Sequence, residues 1–293
     1  MSDADAPGSG SPSGTAAYAR STALARLRQN VKRQGFVPTE GNPAYALIDG
    51  RKTTLPAYVP YVGRWYFAYR PRILCYAINQ NLSKHTSWTD EWAAKWGRDT
   101  DLAIDRLNRA ASDGEPIAVK PYVEGFIPLV ALLAIVRHRQ VEGAELPKLV
   151  DEVIAVTNFV KFSTSDDASS SSIFSSWWRE CAKRYVARET VALKPDVIIA
   201  FGQKTVSALS QVVKDLSFEA HPPETLACRF PGRMPSIKAR PLTDTEERVW
   251  RDHILPLVGR IRPPNENAYH RWRMLSFPGY FVDIARGWLP ALF

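Results

Sequence analysis

Amide side chains follow the first buried strand that the sequence predicts. Residues 72–78 form a short apolar stretch, which breaks into Asn79, Asn81 and Ser83. In open α/β sheets, ligands bind beyond the carboxyl ends of parallel strands, so polar side chains at this point are candidates for a site. Asparagine and serine are also common in turns, because they hydrogen-bond to the nearby backbone. A plain strand-to-helix turn is therefore the alternative interpretation.

A second predicted strand also ends on an asparagine. Residues 153–158 are apolar up to Thr157 and Asn158, and a Ser-rich tract that is typical of a flexible loop follows at residues 163–172. An amide does not titrate near neutral pH, so Asn79 and Asn158 can orient water or bind a polar edge but cannot act as strong bases. A cap or a turn is the alternative for Asn158.

Helical patterns separate these strands and predict an α/β fold, a parallel sheet covered on both faces. The strand patterns lie at residues 72–78, 153–158, 195–202 and 226–230, and the helical patterns lie at residues 21–34, 101–111, 121–139, 173–193, 203–216 and 243–258. We expect residues 1–18 to be a disordered tail. We expect residues 19–293 to form a single domain with a core at about 70–260, an N-terminal helix and an aromatic, basic C-terminal extension.

Composition favours a cytoplasmic protein with a polyanionic partner. The formal charge is +8, 45% of the 293 residues are hydrophobic, and no run is long and apolar enough for a membrane span or a signal peptide. The three cysteines are far apart, which predicts buried thiols and no metal site. Basic residues cluster in one segment, which favours nucleic acid, and these are Arg229, Arg233, Lys238 and Arg240.

Four segments, taken in order, resemble the uracil-DNA glycosylase superfamily, most closely its mismatch-specific branch. Residues 77–83 (AINQNLS) resemble the family's G-I-N-P-G-L-S loop, and residues 156–161 (VTNFVK) are similar to T-N-V-V-K. Residues 193–202 (LKPDVIIAFG) resemble the third strand, L-K-P-x-V-I-I-A-L-G, and residues 230–234 (FPGRM) resemble the H-P-S-P-L loop. The resemblance implies a three-layer α/β/α fold with a central four-stranded, mainly parallel sheet.

The resemblance implies roles for the two strand-end asparagines. Asn79 takes the place of the residue that positions the attacking water, and Asn158 takes the place of the residue that reads the flipped pyrimidine. Asn81 occupies the position where strict uracil enzymes have a tyrosine that blocks substituents at the pyrimidine C5. A small polar residue there suits a 5-substituted pyrimidine such as thymine, hydroxymethylcytosine or its glucosylated form.

The resemblance also implies residues that bind DNA around the flipped base. Met234 falls on the position of the apolar side chain that wedges into the duplex, while Arg229 and Arg233 bind phosphates. Trp92, and Trp88 as a second choice, fall in the window of the aromatic that stacks on the base. Phe230 replaces a histidine that many members carry, and His221 is a second candidate for that histidine loop. Core packing is the alternative for the tryptophans and for Met234.

These implied roles predict a monofunctional DNA glycosylase, a monomer that hydrolyses the N-glycosidic bond of a modified pyrimidine without a metal or cofactor. Some bacterial proteins that resemble the family act in antiviral defence on glucosylated hydroxymethylcytosine in phage DNA, and a polar residue at position 81 is compatible with that substrate. A uracil or thymine mismatch-repair glycosylase is one alternative. A catalytically lapsed DNA-binding module is another, since the first loop departs from the family pattern at Ala77, Gln80 and Asn81.

Overall fold

A computed structural model describes most of the elements that the sequence predicts. It describes residues 12–33, 60–79, 126–139, 145–160, 181–216, 221–229, 240–261 and 277–293. The helix predicted at residues 101–111 and the Ser-rich tract at residues 163–172 lie outside these ranges. The predicted α/β class is confirmed, because a largely parallel sheet carries helices on both of its faces.

The sheet has five strands rather than the predicted four. In chain order they are β1 (Tyr61–Val62), β2 (Ile73–Asn79), β3 (Ile154–Val160), β4 (Val197–Phe201) and β5 (Glu224–Cys228). Their spatial order is β1-β3-β2-β4-β5, with β1 antiparallel to β3 and every other pair parallel. The central strands β2 and β4 are buried on both faces, which explains their continuous apolar sequences.

Helices α1, α3 and α4 cover one face of the sheet, and we call them the first helical layer. They are α1 (Gly14–Arg33), α3 (Ala187–Leu193), which continues a π-helical stretch (Ala182–Val186), and α4 (Gln203–Asp215). Their buried side chains include Leu27, Tyr185 and Leu209, which pack with Leu74 and Tyr76 of β2. Within this core the buried Tyr76 hydroxyl donates to Glu189 Oε2 at 3.0 Å.

Helices α2 and α5 to α7 cover the opposite face and form the second helical layer. They are α2 (Ile127–Arg139), α5 (Asp244–Val249), which continues through a π-helical stretch (Trp250–Ile254) into α6 (Leu255–Val258), and α7 (Pro278–Trp288). Helix α2 is buried from Ile127 to Val136, so its apolar residues surround the helix instead of forming one stripe. It packs between the sheet and helices α6 and α7.

Two boundaries differ from the sequence predictions. Helix α1 begins at Gly14, so residues 14–18 of the predicted tail are helical, in keeping with the strong helix propensity of Ala16 and Ala17. Helix α7 lies in the part that we expected only to be an aromatic extension. The cysteines Cys75, Cys181 and Cys228 are free and buried, as predicted. Within the described ranges, none of the helices combines the length and the apolar character that a membrane span requires.

The buried carboxylate of Glu246, near the start of α5, binds Arg240 and links α5 to helix α7. Glu246 has a side chain only 2% exposed, and it accepts hydrogen bonds from Arg240, at 2.7 and 2.8 Å, and from Arg286 of α7, at 2.5 Å. It also accepts from the backbone N–H of Thr243, whose hydroxyl caps the Glu246 N–H, and this completes a capping box. The Arg240 bond, then those of Thr243 and Arg286, hold the pKa of Glu246 well below its usual 4.5.

Substituting Glu246 with glutamine is expected to lower the free energy of unfolding by about 2 kcal/mol at pH 7, because two arginines lose a buried carboxylate partner. Below pH 4.5 the unfolded Glu246 binds a proton while the folded one stays ionised, so the wild type loses this stabilisation as the pH falls. Urea unfolding at pH 7 and pH 3.5 measures both effects. If the free energy of unfolding of the Glu246→Gln variant fell as steeply between pH 7 and pH 3.5 as that of the wild type, Glu246 would not be the source of this pH dependence.

Candidate functional site

The two predicted asparagines lie on neighbouring parallel strands at the same end of the sheet. Asn79 ends β2 and pairs with Val160, whereas Asn158 pairs with Ala77. The two asparagines are therefore two register positions apart on adjacent strands. Asn158 is on the sheet face that carries the second helical layer, and it is 9% exposed. The structure thus brings together the two positions that the sequence singled out.

The strand order reverses between β2 and β4 at this end of the sheet. β3 lies on one side of β2, and β5 lies on the opposite side of β4. The next described helix after β2, α2, is on one face of the sheet, while α4, which follows β4, is on the other. In sheets of this kind, ligands bind at such a switch point, outside the carboxyl ends of the strands. Asn79 is the last residue of β2 and so lies next to this switch point.

The end of β4 forms the next part of this edge. Gly202 has φ 95°, a left-handed backbone conformation that favours glycine, and its N–H donates to the Cys228 carbonyl at 2.7 Å. The chain turns there directly into α4, whose first residues, Gln203 and Lys204, are exposed. This strand and helix were predicted from the sequence, but these two side chains were not among the predicted site residues. A glycine followed by polar residues between a strand and a helix was the available signal.

The end of β5 is held by helix α7. The Tyr280 hydroxyl donates to the Arg229 carbonyl at 2.6 Å and lies 3.0 Å from Cys228 Sγ, so the thiol can donate to the tyrosine oxygen. The Tyr280 ring packs on Phe126 with centroids 4.8 Å apart. Burial raises the pKa of Cys228 to about 12, which makes the thiol inert at neutral pH. The Arg229 side chain is exposed beside this buried group, in a position to meet solvent or a ligand.

Arg240 has intramolecular partners in this structure. Its guanidinium binds Glu246 and also donates to Asp283 of α7 at 2.8 Å. These contacts link Arg240 to two helices, and they raise its pKa through hydrogen bonds to the two carboxylates. Its side chain is 40% exposed, and a phosphate would have to compete with both carboxylates. The predicted phosphate contact of Arg240 remains a prediction.

Several predicted site residues lie outside the described ranges, and their roles remain predictions. They are Asn81, Trp88, Trp92, Arg233, Met234 and Lys238. Residues 230–234 come directly after the described end of β5 in the chain, and this is the sheet end that also carries Asn79. His221 instead precedes Glu224, the first residue of β5, at the opposite end of the sheet. The strand direction therefore favours residues 230–234 over His221 as the counterpart of the histidine loop.

The described part of this edge carries amides, cations and backbone groups rather than a titrating base. Neither Asn79 nor Asn158 can remove a proton from water at neutral pH, but both can accept or donate hydrogen bonds. The described residues contain no group of three or more histidine, cysteine or acidic side chains that could hold a metal. The arrangement suits orientation of a neutral polar ligand or a water molecule.

No family model and no curated protein matches the chain.

Proposed function

We propose that this protein is a monofunctional DNA glycosylase that flips a modified pyrimidine out of DNA and hydrolyses its N-glycosidic bond. The observation that carries the proposal is the register of β2 and β3, in which Asn79 and Asn158 are close along adjacent strands at one sheet edge. One amide would orient the attacking water and the other would bind the flipped base. The four ordered sequence segments support the same assignment. The proposed reaction uses no metal or cofactor and leaves an abasic site.

The parallel part of the sheet supports this function. Four parallel strands between two layers of helices are what the resemblance implies, and the short antiparallel β1 is an addition at the outer edge of β3. The switch point between β2 and β4 is where a flipped nucleotide would bind. β1 is separated from β2 by β3 and so is not part of that switch point.

Catalysis would depend on leaving-group stabilisation, because Asn79 is a weak acceptor. The water is oriented by a hydrogen bond to the Asn79 amide, and the departing pyrimidine anion is stabilised by donors in a dry site. The Asn158 amide is 9% exposed and is suited to that role, since a buried donor faces little competition from water. Arg229 would bind a backbone phosphate beside the flipped nucleotide, and Met234 would fill the space that the base leaves.

We propose a 5-substituted pyrimidine as the substrate class, with glucosylated hydroxymethylcytosine of phage DNA as the leading candidate and antiphage defence as the role. The proposal rests on Asn81, because a small polar residue at the C5 gate leaves space and offers a hydrogen bond. Trp92 or Trp88 would stack on the base. Uracil or thymine mismatch repair is the second candidate, since the amide of Asn158 can pair with either uracil or cytosine.

A panel of duplexes distinguishes these substrates. Identical duplexes carry uracil, thymine opposite guanine, hydroxymethylcytosine or glucosylated hydroxymethylcytosine at one position, and alkali cleavage scores abasic sites. We expect the strongest cleavage with a 5-substituted base. Cleavage of uracil alone would overturn the proposed substrate class. Absence of cleavage with every base, together with tight DNA binding, would favour the lapsed DNA-binding module.

A further inference from the structure

Charge is distributed unequally between the two helical layers. In the second layer, acidic and basic residues are balanced, and they are Arg137, Arg139, Arg248, Arg251, Arg286, Asp244, Glu246, Glu247, Asp252 and Asp283. The first layer, with the π-helical stretch that precedes α3, contains Arg20, Arg26, Arg28, Lys183, Arg184, Arg188, Lys204 and Lys214, against the acids Glu189 and Asp215. Among the helices of the described ranges, the excess positive charge is therefore concentrated in the first layer.

The acids of the first layer do little to neutralise this charge at the surface. Glu189 is 2% exposed and accepts a hydrogen bond from Tyr76 in the core, and Asp215 is at the far end of α4. In the second layer, by contrast, Arg251 pairs with Asp252 at 2.8 Å, and Arg286 pairs with Glu246. Cations that remain exposed without nearby acids create a positive potential that attracts a polyanion.

Three cations stand out on α1 and on the segment that ends in α3. Arg26, Lys183 and Arg188 are exposed, and none of them forms an ion pair or a hydrogen bond with another residue in the described ranges. We call these three residues the basic face. Their guanidinium and ammonium groups keep their donors available for phosphate oxygens.

Two residues of the basic face, Arg26 and Lys183, are close in sequence to a contact between α1 and the segment that ends in α3. The Asn30 amide near the end of α1 donates to the Arg184 carbonyl at 2.9 Å, which places the last turns of α1 beside the first turn of the following helix. That helix leads from the carboxyl end of β3 to the amino end of β4, so its first turn is toward the sheet edge that carries Asn79. Arg26 is one turn before Asn30, and Lys183 immediately precedes Arg184.

We propose that the basic face binds the phosphate backbone of DNA, as a second contact surface besides the segment that contains Arg229. Arg26, Lys183 and Arg188 bind phosphates outside the flipped nucleotide, and α1 serves as a DNA-binding helix. The inference requires only that the protein binds DNA, so it holds for an active glycosylase and for a lapsed module alike. Phosphate contacts of this kind carry no sequence information and make binding strongly dependent on salt.

The salt dependence of DNA binding tests the proposal. The triple variant Arg26→Gln, Lys183→Gln, Arg188→Gln is compared with wild type on an unmodified duplex, so that no base excision is needed. Each lost phosphate contact removes about 0.9 from the slope of log K against log salt concentration, so we expect the slope to fall by about 2 to 3. The matched control is Lys148→Gln, Arg248→Gln, Arg251→Gln, which removes the same charge from exposed positions elsewhere.

The control separates local contacts from net charge. A lower slope in the first variant alone supports the basic face, whereas an equal fall in both variants would show a net-charge effect and overturn the proposal. An unchanged slope in the first variant would also overturn it. The outcome is independent of the base panel, because failure of excision with every base leaves the slope measurement unaffected.

Discussion

Replacing Asn79 with alanine is expected to slow abasic-site formation by about 100-fold or more, with the affinity for DNA unchanged. Under the proposed function, the substitution removes the amide that would orient the attacking water, while the phosphate contacts that would supply the affinity are elsewhere. Asn79 is the last residue of β2, so the substitution removes no residue from the middle of the sheet. Single-turnover cleavage of the duplex that the base panel identifies measures the rate, and fluorescence anisotropy measures binding.

The variant Asn79→Asp shows whether the residue acts through water. A carboxylate accepts the water proton more strongly than an amide, so this variant is expected to keep activity and to gain a rate that rises with pH through the aspartate pKa. A residue that only maintained the strand end would give similar losses with alanine and aspartate and no new pH dependence. Equal, pH-independent loss in both variants would therefore remove Asn79 from the reaction.

The asparagines could be predicted as neighbours because of simple rules about parallel strands. Strands that are buried on both faces have apolar sequences, and the carboxyl ends of parallel strands share one edge of the sheet. Asn79 and Asn158, each at the end of a predicted strand, could therefore be expected at the same edge. Their register could not be predicted from the chain alone. It depends on pairing between residues about eighty positions apart, such as Ala77 with Asn158.

The features that could not be predicted from the sequence are contacts between segments that are distant in the chain. The hydrogen bond from Tyr280 of α7 to the end of β5 was missed. The helical spacing of α7 itself is present in the sequence at Tyr280, Phe281, Ala285 and Trp288. The intramolecular partners of Arg240 were also missed, since Asp283 is remote in the chain. A cluster of basic residues in sequence does not show which of them already have acidic partners. That Arg26, Lys183 and Arg188 have no acidic partner among the described residues could be seen only once α1 and α3 were placed together.

The two-residue strand β1 was missed because it is too short for an alternating pattern. Gly63, the residue after β1, allows close backbone contact with the segment that leads into β3. The Gly63 N–H donates to the Ile154 carbonyl at 2.9 Å, and the Trp65 N–H donates to the Glu152 carbonyl at 2.9 Å. A Cβ on Gly63 would lie 2.2 Å from the Glu152 carbonyl oxygen and 2.8 Å from that of Asp151. Glycine is therefore required for close backbone approach, and not for a special φ.

Substituting Gly63 with alanine is accordingly expected to lower the free energy of unfolding by about 3 kcal/mol or more. The atoms that the new methyl group would meet belong to backbone that already accepts a hydrogen bond from Trp65, so relief of the overlap must separate β1 from β3. Urea unfolding followed by tryptophan fluorescence measures the change, since the Trp65 ring is buried beside this contact.

Gly287→Ala is the matched control for this substitution, because it adds the same methyl group at an exposed helical position with no atom within 4 Å. It is expected to raise stability by about 0.5 to 1 kcal/mol, as alanine is the better helix former. Opposite signs for the two variants would show that the cost at Gly63 arises from backbone contact and not from the methyl group itself. A neutral Gly63→Ala would mean that β1 can move away from β3 freely, and that the antiparallel edge contributes little to the fold.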